Sequence, residues 1–264
     1  MKTSWIDSFQ RGGRESTPSQ LTPVEERAGF WLKRDDLWDE GGVARGGKSR
    51  TAGIICRAIL ASRKKGLSVA VARNSSVPAM LARVCHFHRI ALHVHCPASA
   101  APVSSTFASA IEDGAEVHYH RPGYMSVLRA RAVEQATKDN TLFVPLGLEF
   151  PTALEATADQ CMNLPGNVRR IVVPVGSGQM FLGVVRGIKK YMNQPPDLIG
   201  VYVGKKPNLI LPRWATVAEA PFKFNQEVEE VLDNLELDPV YEAKCIPFLK
   251  RGDLLWIVAH RDTE

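Results

Sequence analysis

The chain has 264 residues, of which 45% are hydrophobic and 23% charged. These proportions exclude a disordered polymer and suit one large domain or two small lobes, at roughly 150 residues per domain. Lys plus Arg is 33 and Asp plus Glu is 28, a formal charge of +5, which admits an anionic ligand or nucleic acid without demanding either.

In chain order, residues 8–28 are polar and read as an irregular arm, and Phe30 to Lys33 read as a short strand before a glycine-rich loop at 41–47. Helices are predicted over 49–65, 77–87, near 103–112, and over 125–138, 152–163, 179–192, 224–232 and 239–249. Strands are predicted at Leu67 to Ala72, Ile90 to Val94, 115–119, 141–145, Arg170 to Val175, Leu198 to Val203 and Leu254 to Ala259. This alternation predicts an α/β fold with mostly parallel sheets, whose ligands bind at the carboxyl ends of the strands. The N-terminus, Met1 to Asp7, has no long apolar region, and no apolar run nears the ~20 residues of a membrane span. Cysteines 56, 85, 96, 161 and 245 have no zinc or thioredoxin spacing. They fit reduced thiols, and with them a cytoplasmic setting.

Three loops carry chemistry. Lys33-Arg34-Asp35-Asp36 precedes Gly46-Gly47-Lys48-Ser49. Gly42, Gly47, Lys48 and Ser49 match a phosphate-binding loop by count, but the preceding residues Asp35 to Glu40 are acidic where such a loop follows a buried apolar strand. The buried strand ending at Val175 runs into Gly176-Ser177-Gly178-Gln179-Met180 and then a helix. A turn of this kind offers backbone N–H groups and a helix N-terminus to an anion. The third stretch is Asp238-Pro239-Val240-Tyr241-Glu242-Ala243-Lys244, where the carboxylate next to the tyrosine also reads as a helix cap.

Taken together and in this order, the three motifs resemble the fold type II pyridoxal-phosphate enzymes, in the branch of aminocyclopropane-carboxylate deaminase and D-cysteine desulfhydrase. The resemblance implies a two-lobed tryptophan-synthase-β-like fold of open, mostly parallel sheets with flanking helices. Residues 1–55 and 150–264 would form the large cofactor-binding lobe and 56–149 the small lobe. It also implies pyridoxal 5'-phosphate as cofactor, a small amino-acid-like substrate and a homodimer. Lys48 would form the internal Schiff base, and Gly176, Ser177, Gly178, Gln179 and Met180 would hold the phosphate. Glu242 would face the pyridine nitrogen and strengthen the ring as an electron sink. Tyr241 would transfer a proton or pack over the cofactor or substrate. Asn74 aligns with the family asparagine at the cofactor ring, and Arg73, Ser75 and Ser76 fall in the substrate loop.

The chain departs from the family in several places. Arg73 stands where the family has its active serine, Gly47 stands where it usually has asparagine, and Gln179 and Met180 stand where it has small or hydroxyl residues. His260-Arg261-Asp262-Thr263 replaces a Thr-Gly-Gly, and little lies between Val203 and Leu237. The function implied is a lyase, deaminase or decarboxylase acting at the α-carbon of an amino acid or amine. An alternative is the same chemistry on an amino-acid group attached to DNA, as in base hypermodification, suggested by the more open site, the basic balance and Arg73. A third reading is a non-catalytic cofactor- or nucleic-acid-binding protein. Six of the seven histidines fall between 86 and 120, and His93/His95 and His118/His120 alternate on strands. Neighbouring strands would gather these imidazoles, but polar strand ends explain the pattern equally, and no metal site is assigned. The basic doublets Lys64-Lys65, Arg169-Arg170, Lys189-Lys190 and Lys205-Lys206 read as solvated surface.

Overall fold

The structure, a computed structural model, describes residues 20–258 other than 74, 76, 100–104, 146, 205, 207 and 225. It opens with a hairpin, β1 (Val24–Arg27) antiparallel to β2 (Phe30–Arg34). The turn residues Ala28 and Gly29 have φ of 50° and 80°, the left-handed pair that matches strand twist. β1 therefore corrects the end of the predicted irregular arm. Its turn is hard to read because alanine, which tolerates this backbone poorly, stands where asparagine would mark it.

A 3-10 turn (Asp35–Leu37) and a two-stranded ribbon, β3 (Asp39–Glu40) with β4 (Ala44–Arg45), lead into α1 (Gly47–Leu60). No buried strand precedes Lys48, so the phosphate-loop match is a coincidence of count. Next come β5 (Gly66–Ala70), α2 (Val77–Phe87), β6 (Ala91–Pro97), α3 (Ser105–Glu112), β7 (Glu116–His120), α4 (Met125–Lys138) and β8 (Leu142–Val144). Their strands form an all-parallel four-stranded sheet, ordered β7-β6-β5-β8. Leu67 and Val69 of this sheet meet Ala52, Ile55, Cys56 and Ile59 of α1 in one core.

The chain continues through α5 (Pro151–Asp159), a 3-10 turn (Gln160–Asn163), β9 (Arg170–Val175), α6 (Gln179–Tyr191), β10 (Asp197–Tyr202) and β11 (Ala215–Glu219). A second ribbon, β12 (Val231–Leu232) with β13 (Leu235–Glu236), a 3-10 turn (Ala243–Phe248) and β14 (Leu254–Ile257) complete it. The six-stranded sheet is ordered β1-β2-β14-β9-β10-β11 and is parallel apart from β1. α6 packs on it through Phe181, Val184, Val185 and Ile188, the i, i+3, i+4, i+7 stripe of a one-sided helix.

The α/β class and the mostly parallel sheets hold. Three expectations need correction. Among the described residues of 224–232 there is no helix; they end in β12 of the β12–β13 ribbon, whose turn residues Asp233 and Asn234 take φ of 49° and 62°. Short polar side chains adopt that backbone readily. Residues 239–249 give only the 3-10 turn, which has Pro247 inside it; proline lacks the N–H that a regular helix needs. The helix predicted over 49–65 stops at Leu60. β11 is an additional edge strand that sequence reading passes over. All five cysteines are free and buried. Among the described residues no helix is long and apolar enough to cross a membrane.

Candidate active site

Three strand ends of the six-stranded sheet converge. β9 delivers the glycine turn, β14 delivers Val258, and β2 delivers Arg34 and Asp35. Lys48 lies one residue inside α1, whose N-cap Gly46 has φ 94° and ψ 168°, a backbone that only glycine adopts without strain. Val258 joins the pieces with its main chain. Its carbonyl accepts the Gly47 N–H at 3.1 Å, and its N–H donates to Glu242 Oε1 at 2.6 Å. Because Val258 contributes only backbone, no side-chain motif marks it in the sequence.

Glu242 is fully buried. Its Oε2 has no hydrogen-bond partner among the described residues. Burial first, and the nearby Asp238 charge second, push its pKa up to about 8. Lys48 is reached by solvent yet closely surrounded by protein, and that crowding lowers its pKa, opposed by Asp238 and Glu242. A lysine so depressed sheds its proton and becomes a nucleophile more readily. Its Nζ stands 5.7 Å from the centre of the Tyr241 ring. A Cβ built on Gly176 would lie 3.4 Å from Tyr241 Cε1, so the ring packs against the glycine turn as well. Asp238 Oδ1 accepts the N–H groups of Val240 at 2.8 Å and Tyr241 at 2.9 Å. Asp238 thus sets the loop that presents Tyr241 and Glu242, whereas Glu242, the carboxylate next to the tyrosine and the N-cap residue of the following 3-10 turn, makes no side-chain cap hydrogen bond.

Gly176 and Ser177 are exposed, while Gly178 is buried and caps α6 at φ 94°, ψ −10°. Gly147, at φ 85°, faces this turn so closely that a Cβ there would meet Ser177 Oγ at 2.4 Å. Met180 lies beside Gly47, where a Cβ would meet its Cε at 2.4 Å. Two departures from the family pattern therefore touch: a larger residue at 180 occupies the room that a side chain at 47 would take.

The Lys33 to Asp36 segment is scaffold. Arg50 grips Asp35 through both nitrogens, at 2.5 and 2.9 Å, with both side chains buried. Arg34 binds Asp36 at 2.8 and 3.0 Å. Lys33 is fully buried, bonded to the Thr22 carbonyl at 2.8 Å and Asn163 Oδ1 at 2.7 Å, and burial lowers its pKa to about 8.

Arg73 and Ser75 follow β5 in the other sheet. Arg73 is half-buried and close enough to Cys96 to oppose the rise that burial imposes on that thiol. Ser75 Oγ accepts the Val77 N–H at 3.3 Å and so starts α2. Asn74, Ser76 and His260 to Thr263 lie outside the described residues. A recess of about 350 Å³ lined by Ala82, Cys85, Asp113 and neighbours contains none of these groups; the chemistry, not the concavity, locates the site.

The sequence matches the family described as pyridoxal-phosphate dependent enzyme over residues 12–233, and the chain belongs to that family. Its fold is similar to that of an ACC deaminase homologue, with TM-score 0.75 and 15% identity over 98% of this chain and 95% of that one. It is also similar to a pyridoxal 5'-phosphate-dependent aspartate racemase (TM-score 0.63, 15% identity, 92% of this chain and 91% of that one). A processed threonine deaminase isoform 2 from Solanum lycopersicum gives TM-score 0.62 and 15% identity over 92% and 84%. A comparison with curated proteins finds no match. At these identities the solved structures establish the fold, and the family establishes pyridoxal 5'-phosphate as the cofactor.

The residues present fit that cofactor. Glu242 Oε2, buried and unpartnered, suits a protonated ring nitrogen, since a buried acceptor without a donor is costly. The exposed glycine turn at the N-terminus of α6 suits a phosphate. Lys48 supplies an accessible amine. The family match ends before Asp238, so the place of Glu242 rests on the geometry alone.

Proposed function

We propose that the chain is a lyase or deaminase that breaks a bond at the α-carbon of a small amino acid or amine, with decarboxylation as the third member of that class. The observation that carries this is the Tyr241 ring, which meets Gly176 of the glycine turn and stands 5.7 Å from the Lys48 amine, with the idle Glu242 oxygen next in sequence and its carboxylate near enough to act on Lys48. When bound, pyridoxal 5'-phosphate supplies an electron sink for charge left at the α-carbon. Lys48 holds the cofactor through its amine and carries the α-proton. Glu242 keeps the ring nitrogen protonated, and ionises as it does so. Gly176, Ser177, Gly178, Gln179 and Met180 hold the phosphate, and Asn74 lies along the ring. Arg73, Ser75 and Ser76 hold the substrate carboxylate, and Tyr241 orients the substrate or passes a proton. The division of labour follows a large lobe of 1–55 and 150–264 and a small lobe of 56–149, in a homodimeric, cytoplasmic enzyme.

The test is the visible absorption spectrum of the purified protein and of Lys48→Ala, followed by a screen of free amino acids with detection of ammonia, keto acid and carbon dioxide. A visible band lost in Lys48→Ala, and product from a free amino acid, support the proposal. A protein that stays colourless with added pyridoxal phosphate overturns it. A band that responds only to DNA bearing amino-acid groups moves the substrate to DNA and leaves the site assignment standing.

A further inference from the structure

The four-stranded sheet carries a second group of chemically active side chains, away from the strand ends that converge on Lys48. β6 and β7 pair in the register His93↔Glu116, His95↔His118 and Pro97↔His120. Four imidazoles stack as a ladder on these two strands: His93 on His118, His118 on His95, and His95 on His120, with ring centres 5.3, 4.7 and 5.1 Å apart. At one end of the ladder a carboxylate joins it. His93 Nδ1 lies 3.0 Å from His118 Nε2, 3.4 Å from Glu116 Oε2, and His118 Nε2 lies 3.4 Å from Glu116 Oε1.

We propose that His93 Nδ1, His118 Nε2 and a Glu116 carboxylate oxygen form a binding site for a divalent transition-metal ion of the zinc type. The argument is one of distances. A tetrahedral ion with ligands at about 2.0–2.1 Å spaces its donor atoms ~3.4 Å apart; here the two nitrogens are 3.0 Å apart, each lies 3.4 Å from a different oxygen of Glu116, and one donor from each of the three groups falls within 4.8 Å of the others, so a shift of a few tenths of an ångström at the nitrogens and a turn of the carboxylate complete the site. The chemistry agrees: two imidazoles and a carboxylate are the donor set of a borderline cation with an open coordination position. Two neutral imidazole nitrogens facing each other satisfy both lone pairs only if one carries a proton, whereas a cation takes both. The ligands stand on adjacent hydrogen-bonded strands, so the backbone holds them in place before the ion arrives. Glu116 is largely exposed and the two imidazoles partly so, which leaves an entry path. The second pair, His95 Nδ1 and His120 Nε2 at 2.9 Å, has no carboxylate bonded to it among the described residues and is not part of the site. β7 is the edge of its sheet, and the ion would clamp it to β6.

The experiment uses the full chain with its cofactor, stripped of metal by a chelator and returned to chelator-free buffer. Calorimetric titration with Zn²⁺ should show one ion per chain. His93→Gln and His118→Gln should each weaken binding at least about tenfold, since even outer partners of a metal ligand are worth that much. Glu116→Gln should weaken it less, and His120→Gln should leave it unchanged. Zn²⁺ should also raise the thermal midpoint of the native chain but not of the His93→Gln/His118→Gln chain. If those variants do not fold, two readouts on the native chain decide. Co²⁺ should give tetrahedral ligand-field bands without a thiolate charge-transfer band, and Zn²⁺ should protect His93 and His118 from imidazole acylation read by mass spectrometry. No Zn²⁺ binding by the native chain, binding untouched by the double substitution, or a thiolate-bound Co²⁺ spectrum overturns the site.

Discussion

Two stretches of buried charge flank Lys48, and the protein treats them differently. In residues 33–50 each buried acid faces a cation, Asp35 with Arg50, Asp36 with Arg34 and Glu40 with Arg57, and Lys33 meets two oxygens, with only the Nε of Arg50 unbonded among the charged groups described. In residues 238–258 the buried carboxyl of Glu242 is only half satisfied. Matched charges fix one arrangement of the chain, and the unmatched oxygen is the one the proposed function gives to the cofactor ring. The motifs read from the sequence fall in both stretches, although the family match ends at residue 233, so a motif residue is not for that reason a reacting residue.

The contrast can be broken by substitution. The largest effect should fall on Lys48→Ala, with turnover lowered roughly 10²–10⁴-fold or to background, while the unfolding free energy from urea melts changes by no more than ~0.5 kcal/mol, as for an accessible side chain. Loss of folding in this variant would show that Lys48 belongs with the scaffold. Asp35→Ala should do the reverse. It strands a buried guanidinium and should cost about 3–5 kcal/mol in denaturant melts, and adding Arg50→Met should recover part of that cost. An Asp35→Ala chain as stable as the native one would end the claim that the matched pair holds the fold.

Glu242→Gln separates the two stretches by pH. The carboxyl is raised from 4.5 to about 8 in the folded chain, so the folded state keeps a proton that the unfolded chain releases. Without cofactor, stability is therefore full below about pH 4.5 and falls as pH rises through about 8, by on the order of a few kcal/mol. Urea melts at pH 5 and pH 8 should show this slope in the native chain and lose it in Glu242→Gln; equal slopes would mean that Glu242 has a partner. The smallest effect concerns the contact between Gly47 and Met180. Gly47→Asn should cost about 1–3 kcal/mol by crowding Met180 and the Asp35 carboxylate, and Met180→Ala should restore the part owed to Met180. A coupling under ~0.5 kcal/mol between the two would deny their contact.

Most of the parallel framework is legible in the sequence, because strands buried on both faces read as apolar runs and α6 as a clean stripe. The ribbons and β1 are not, since their pairing depends on left-handed turn residues such as Ala28 whose signal is weak. The 224–232 segment misleads because Val228 and Val231 sit three apart among glutamates, a helical spacing, while the Asp233–Asn234 turn folds them into a ribbon. In the site, Lys48, Tyr241 and the glycine turn are found together. That Lys33 and Asp35 are scaffold emerges from partners distant in sequence, Asn163 and Arg50, beside the local pair of Arg34 with Asp36. Val258 acts through main-chain atoms common to every residue and leaves no mark.

β14 comes last among the described strands, yet it lies in the sheet between β2 and β9. During synthesis the four-stranded sheet, drawn from residues 66–144, has all its strands long before Leu254 leaves the ribosome. Until then β2 and β9 each present an open edge, and Gly47 lacks its acceptor. The nascent chain therefore passes through a stage in which one half is finished while the other exposes unpaired backbone to any passing strand. The Val258 backbone that joins Gly47 to Glu242 arrives only with that strand, and a chain stopped at Asp253 should aggregate rather than persist.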